Sequence, residues 1–300
     1  MAEMIAVPSE MLNLNLRIRM LQDLPTLPEM ASHLKKTAGR QECGIRELQR
    51  AILLDPPLSA MILGEANRRK KPFDPPMKTI SDALTSLPAE MVREFCTHRP
   101  KLSTFDPWNE LGSDTGLLWK HAVSTGLLAK SLHMRKRMNS TKGPDPYITG
   151  LLHHIGWVVL DTVEPHLLRE AVKTYGETGV WTIQQERELF GMDHAEAGAI
   201  LLEAWGLPEE IVRVVRHHHE PGKAGSLSAH AALLQVASTL SPVAFPLDEP
   251  LHEVSPELPN RLQYHSGPKL IPELQNRYGR YILQASSGAR MMLPWLWSNA

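Results

Sequence analysis

The chain predicts an all-α protein, and three observations carry that prediction. Apolar residues return at three- and four-residue steps along most of its length, alternating stretches rich in β-branched residues are almost absent, and prolines stand where one helical pattern stops and the next begins. These prolines are Pro25, Pro28, Pro56, Pro57, Pro72, Pro75, Pro76, Pro88, Pro107, Pro144, Pro146, Pro165, Pro208 and Pro221. The connections they leave are short, as between neighbouring helices of a bundle.

Taken in order, the N-terminal part predicts helices over 29–37, 45–54, 57–67 and 79–98. Composition shifts at 104–114 and 241–259 suggest boundaries, which divide the chain into an N-terminal helical part (1–110), a helical bundle (111–242) and a C-terminal extension (243–300). In the extension, a helix over 269–284 leads to Met291-Met292-Leu293-Pro294-Trp295-Leu296-Trp297, which reads as docked on the core rather than left open as a partner surface.

With 300 residues the chain can bury a substantial core, and a formal net charge of −1 gives no global pull toward nucleic acid or an anionic membrane. The basic runs Arg68-Arg69-Lys70-Lys71 and Arg135-Lys136-Arg137 are short and read as solvated helix ends or loops. Cys43 and Cys96 are far apart and lack a CxxC spacing, which argues against a disulfide framework or a zinc knuckle and fits a reducing compartment. No apolar run reaches the length of a membrane span, and Met1 to Leu16 lack the basic-then-oily order of a signal peptide. The expected location is the cytoplasm, with neither membrane nor nucleic acid as a partner.

The bundle carries the chemistry. In Gly150-Leu151-Leu152-His153-His154-Ile155-Gly156, read as one continuous helix, two adjacent imidazoles lie in a segment oily nearly all round. His153 shares a face there with Gly150 and Trp157. Upstream, His121 shares a stripe with Leu117, Leu118, Leu128 and Leu132. Downstream, Asp193 can cap a helix with Glu196 three residues on, and His194, Gly198, Leu201 and Trp205 form a stripe. After Pro208, residues Leu207, Ile211, Val214, Val215 and His218 fall on one face while His217 points away. Any one of these histidines alone would read as a core residue donating to a backbone carbonyl. Four helices that each turn an imidazole inward point instead to a shared site.

Neutral imidazoles suit zinc, iron, nickel or copper, and a metal would offset the cost of burying them. The candidate ligands are His121, His153, His154, His194, His218 and His219, around one divalent transition metal. Carboxylate is missing: a hydrolytic two-metal site needs a bridging anion, and no Asp follows His153. Lys120, Arg213 and Arg216 stand beside the histidines and could meet the phosphates of a small nucleotide, although they read first as solvated side chains. Trp119, Trp157 and Trp205 read as core anchors, and Met61, Met77, Met91 and Met192 as gap fillers. His98, His133, His166, His230, His252 and His265 follow no ligand spacing and receive no role.

An ordered series of short motifs also runs along the chain. It comprises Leu24-Pro25-Thr26-Leu27-Pro28-Glu29, Asp55-Pro56-Pro57-Leu58, Ile62-Leu63, Ala66-Asn67, Leu118-Trp119-Lys120-His121, the Gly150 to Gly156 segment, Asp193-His194-Ala195-Glu196-Ala197-Gly198-Ala199, Trp205-Gly206-Leu207-Pro208 and His218-His219-Glu220-Pro221. Over about residues 20–242 this series resembles the HDOD family, a regulatory relative of the HD-type phosphohydrolases. The resemblance implies an HD-like multi-helix bundle with an N-terminal helical subdomain. It makes His121 similar to the first histidine of the HD metal site, His153 to the H of the HD pair, and His194, His218 and His219 to the later histidines. Two carboxylates are replaced: the D of the pair is His154, and the distal helix reads Gln235-Val236-Ala237-Ser238 where Asp is expected. Arg68 and Pro88 also depart from the usual Ser after Ala-Asn and from a usual Leu-Gly.

The function so implied is a bacterial signalling output or adaptor module that contacts regulatory proteins without catalysis. The alternative is a residual metal-dependent phosphohydrolase or phosphodiesterase acting on nucleotides or cyclic dinucleotides, with a carboxylate supplied by Asp161, Asp193 or Glu220. Between them stands a pocket that binds a nucleotide without turnover.

Overall fold

A computed structural model of the chain describes residues 9–102, 116–136, 143–178 and 182–241, together with the short pieces 279–280, 283–285, 287–288 and 290–292. Among the described residues the fold is all-α, and the extended pairing is a single bridge between Thr26 and Lys101. Six helices come first: α1 (Ser9–Arg19), α2 (Pro28–Ala38), α3 (Ile45–Ile52), α4 (Pro56–Arg69), α5 (Ile80–Ser86) and α6 (Ala89–Thr97). The histidine-bearing part follows with α7 (Leu117–Lys136), α8 (Pro146–Leu152), α9 (Ile155–Val163), α10 (Pro165–Thr178), α11 (Ile183–Phe190), α12 (His194–Ala204) and α13 (Glu209–Arg216), then a 3₁₀ turn (Pro221–Leu227) and α14 (Ser228–Leu240).

The helix expected over 79–98 is two helices. Pro88 pushes the residue before it out of the helical region, so Leu87 is extended at φ −97°, ψ 144° and α5 stops before α6 begins. The segment from Gly150 to Gly156 is likewise divided: α8 ends at Leu152, and His154 sits at φ −104°, ψ 14° before α9. The His153 ring occupies the Gly150 carbonyl at 2.7 Å, the acceptor that a continuing helix would give to the His154 amide. The boundary segments 104–114 and 242–259, Arg137, the side chains of Arg135 and Lys136, residues 269–278, and Leu293 to Trp297 lie outside the described residues, as do His252 and His265. At the start of the C-terminal run Met292 packs on the core, whereas Met291 is exposed.

One apolar core takes in residues from Leu14 through Val215, including Trp119, Trp157 and Trp205 as anchors, with Met61, Met77 and Met91 packed against its margin and Met192 buried within it. Polar ties cross between the first six helices and the histidine-bearing part. The Tyr147 hydroxyl donates to the Leu53 carbonyl at 2.7 Å, the Trp205 indole to the Leu21 carbonyl at 2.8 Å, and Lys78 pairs with Glu210 at 2.8 Å. Gly64 lies against the Trp205 carbonyl so closely that any Cβ there would overlap it.

Asp55 organises the N-terminal helices. Fully buried, it caps α4 by accepting the Leu58 amide at 2.9 Å and takes the Thr26 hydroxyl. Thr26 is also strapped to the chain after α6, donating its amide to Pro100 at 2.9 Å and accepting that of Leu102 at 2.8 Å. Beside it, Arg99 pairs with Asp23 at 2.6 Å and donates to the Leu24 carbonyl at 2.7 Å. Burial pushes the Asp55 carboxyl up, against the pull of Arg99 and Thr26. Asp55→Ala is expected to lower unfolding stability by about 2 kcal/mol, since a cap is lost and a buried hydroxyl loses its acceptor. Urea titration checks this as a shift in midpoint at unchanged slope.

At the far end of the bundle, His133 of α7 and His230 of α14 lie with ring centroids 6.1 Å apart. Burial lowers the pKa of both from 6.5; Asp145 opposes this at His133, while at His230 Glu210 opposes it and His133 and Lys78 reinforce it. The unfolded chain therefore binds protons more readily here. The contribution to stability is complete above about pH 6.5 and is lost as pH falls from there toward the lower folded values. Thermal melts at pH 7 and pH 5 should show a smaller acid-side fall in Tm for the double variant His133→Gln, His230→Gln than for the unsubstituted chain.

Candidate functional site

The histidines predicted to face inward do so. His121, His153 and His194 are 0% exposed, and His154 and His218 are 1% exposed, while His219 is half-buried and His217 stays outside the group. Two close approaches place them. α8 meets α7 with Gly150 against Gly126, and α9 meets α12 with Gly156 against the His194 carbonyl and the Gly198 amide. No side chain would fit at either crossing, so glycine lets the helix axes come near enough for rings on different helices to touch.

The rings form a continuous array. His153 stacks on His154 at 3.7 Å between centroids, and His121 stacks on His154 at 5.1 Å. His154 meets His194 edge-on at 4.8 Å, His194 meets His219 edge-on at 5.0 Å, and His218 lies 3.9 Å from His219. Trp157 stacks on the outer face of His194 at 5.1 Å. The potential ligand atoms gather in two groups sharing His154: His154, His194, His218 and His219 in one, and His121, His153 and His154 in the other, each within 4.8 Å of one another.

Local structure fixes several ring orientations. His153 Nδ1 donates to Gly150 O at 2.7 Å, and His218 Nδ1 donates to Val215 O at 2.7 Å. In both cases a ring just past a helix end satisfies a carbonyl of the last turn. His218 is thus one residue beyond the α13 C-cap rather than on its face. α14 closes the site from the other side. The Ser238 hydroxyl lies 3.2 Å from His121 Nε2 and 3.1 Å from His153 Nε2, and Gln235 donates to the His219 carbonyl at 3.1 Å.

The carboxylates nominated from sequence do not join the groups. Asp193 caps α12 by accepting the Glu196 amide at 2.8 Å and pairs with Arg187 at 2.7 Å. Burial pushes its carboxyl up, but the His194 ring, the Glu196 amide and Arg187 together hold it below the usual carboxylate range. Glu220 pairs with Lys223 at 2.6 Å and Arg187 at 3.3 Å. Asp161 lies on α9 outside both groups.

Glu186 of α11, which sequence reasoning passed over, is a carboxylate in direct contact with the array. It is 0% exposed, accepts the His194 amide at 2.7 Å through Oε2, and takes His194 Nδ1 at 2.8 Å on the same oxygen. Its signal was its place between Ile183 and Phe190, an acidic residue on the apolar stripe of a short helix. Of the three cations considered for a nucleotide, Lys120 is buried rather than solvated, and burial lowers its pKa. Arg213 and Arg216 are engaged by Glu209 and Glu196.

The model of the HDOD domain family matches residues 24–221. The chain belongs to the HDOD family. A relative in sequence is an uncharacterized protein of Treponema pallidum (strain Nichols), 24% identical over 203 residues, which are 66% of this chain and 38% of that one. The chain thus matches well under half the length of that relative. Among solved structures the HDOD chain is similar to the MmoQ response regulator of Methylococcus capsulatus str. Bath, with a TM-score of 0.62 and 20% identity over 89% of this chain and 99% of that one. It is also similar to a virulence factor of Campylobacter jejuni subsp. jejuni, with a TM-score of 0.61 and 20% identity over 78% and 84% of the two chains. At such identity the likeness shows a shared fold. No helix among the described residues of this HDOD protein is long and apolar enough to cross a membrane.

Because Gly156 holds α9 against the backbone of His194, Gly156→Ala is expected to cost about 3 kcal/mol in urea unfolding, as overpacking against main chain does. Gly222→Ala, where nothing lies within 4 Å of the added Cβ, should stay within about 0.5 kcal/mol.

Proposed function

We propose that this HDOD chain is a cytoplasmic bacterial signal-transduction output or adaptor module. It acts through contacts with regulatory proteins, without hydrolysis, around a pocket of His121, His153, His154, His194, His218 and His219 that can hold one divalent transition metal. One observation supports this above the others: both clusters of potential ligands consist of imidazole alone. Neutral rings suit a late transition ion, but they cannot supply the negative charge that keeps two divalent cations close together around an activated hydroxide. The hydroxyl of Ser238, not a carboxylate, stands between His121 and His153. Asp193 and Glu220 are engaged with Arg187. The fold shared with a protein described as a response regulator accords with a signalling role.

With nucleoside phosphates and cyclic dinucleotides in turn, and with manganese, iron(II) or zinc added, the expected outcome is product formation no faster than in a protein-free blank. Turnover that chelation abolishes, and that is missing in His194→Ala, would overturn the non-hydrolytic reading.

A further inference from the structure

The two groups of histidines commit their ring nitrogens differently. Resting on the metal reading above, we infer that the pocket takes a single late transition ion on His154, His194, His218 and His219, with Glu186 as the positioning residue for His194. Ser238 holds His121 and His153 out of ligation.

His218 Nδ1 faces a carbonyl, Val215 O, which can only accept, so the proton is on Nδ1 and the lone pair is on Nε2. His194 Nδ1 faces the Glu186 carboxylate, which already accepts the His194 amide, so His194 too carries its proton on Nδ1 and its lone pair on Nε2. That nitrogen lies 3.1 Å from His219 Nε2. Two imidazole nitrogens bound at 2.0–2.1 Å to one tetrahedral ion would stand roughly 3.3 Å apart, so the pair already has about the spacing of neighbouring ligands. A carboxylate behind a ligating ring also makes the ring a stronger donor and places one negative charge beside the cation.

His153 Nδ1 donates to Gly150 O, which leaves its Nε2 as an acceptor; the Ser238 hydroxyl, 3.1 Å away, supplies the proton. Having given its one hydrogen to His153, the same oxygen accepts from His121 Nε2–H at 3.2 Å. The relay from His121 through Ser238 to His153 engages both Nε2 atoms, and at His121 Nε2, which also has the Thr125 hydroxyl at 3.4 Å, a proton stands where a ligand needs a lone pair. A second ion there would have to displace the hydroxyl and would sit near the first among neutral rings that bring no charge to offset the repulsion.

The test is a cobalt(II) titration of chelator-stripped full-length protein, followed by visible ligand-field absorption and by metal content after desalting. Expected are one equivalent with a tetrahedral spectrum, a loss of affinity of roughly 10- to 100-fold in Glu186→Gln with one equivalent retained, partial rescue in Glu186→Asp, and affinity within about threefold of the parent in Ser238→Ala. Ser238→Asp should admit a second equivalent on His121 and His153. Long-range ¹⁵N correlations in the metal-free parent, which need no variant to fold, should show His194 and His218 protonated at Nδ1. No cobalt bound by the parent would overturn the metal reading itself. One equivalent with unchanged affinity in Glu186→Gln, or His194 protonated at Nε2, would overturn the positioning role alone, and two equivalents in the parent would overturn the single-ion assignment.

Discussion

Polar rings enclosed by an apolar core must find partners, and the histidine-bearing helices are shaped by that requirement. Five imidazoles and the carboxylate of Glu186 lie beyond the reach of water. The solutions recur. His153 and His218 each turn back to a carbonyl of the helix that has just ended, so the same bond that satisfies the ring also closes the helix terminus. His194 takes a carboxylate from a neighbouring helix, and His121 takes a serine from α14. These bonds tie different elements to the array, which is therefore also a junction of α7, α8, α11, α12, α13 and α14.

That junction is continuous with the first six helices. The Tyr147 hydroxyl, at the start of α8, reaches the end of α3, and Trp205, at the end of α12, reaches the chain between α1 and α2. Both helices carry histidines or lead directly to them, so a displacement of the N-terminal helices would bear on the rings through packed main chain rather than through mobile side chains. For a module proposed to work by protein contact, this supplies a physical route between its surface and its interior.

Much of this was legible in the sequence because the signals were periodic. The all-α class, the inward faces of His121 and His194, the cap at Asp193 and the anchoring tryptophans follow from three- and four-residue spacing, whereas His153 and His218 are buried by turning back at helix ends rather than by lying on a helix face. Periodicity failed where it could not see an interruption. The helices on either side of His153 and His154 are both oily all round, so the pattern runs through the break, and only the side-chain bond to Gly150 explains it. Glu186 escaped because an acidic residue in a charged helix, Gln184-Gln185-Glu186-Arg187-Glu188, reads as solvated. Lys120 misled for the same reason: a lone cation on a helix gives no sign that the fold buries it.

The depth of the array has a consequence in time. With five rings of the array enclosed and His219 alone half-buried, the inner nitrogens have little direct contact with solvent. Exchange at those nitrogens would require the helices to part, and the tight glycine crossings oppose that opening. Such a pocket responds slowly. It would report the average of past conditions over the lifetime of the closed state rather than the concentration of the moment.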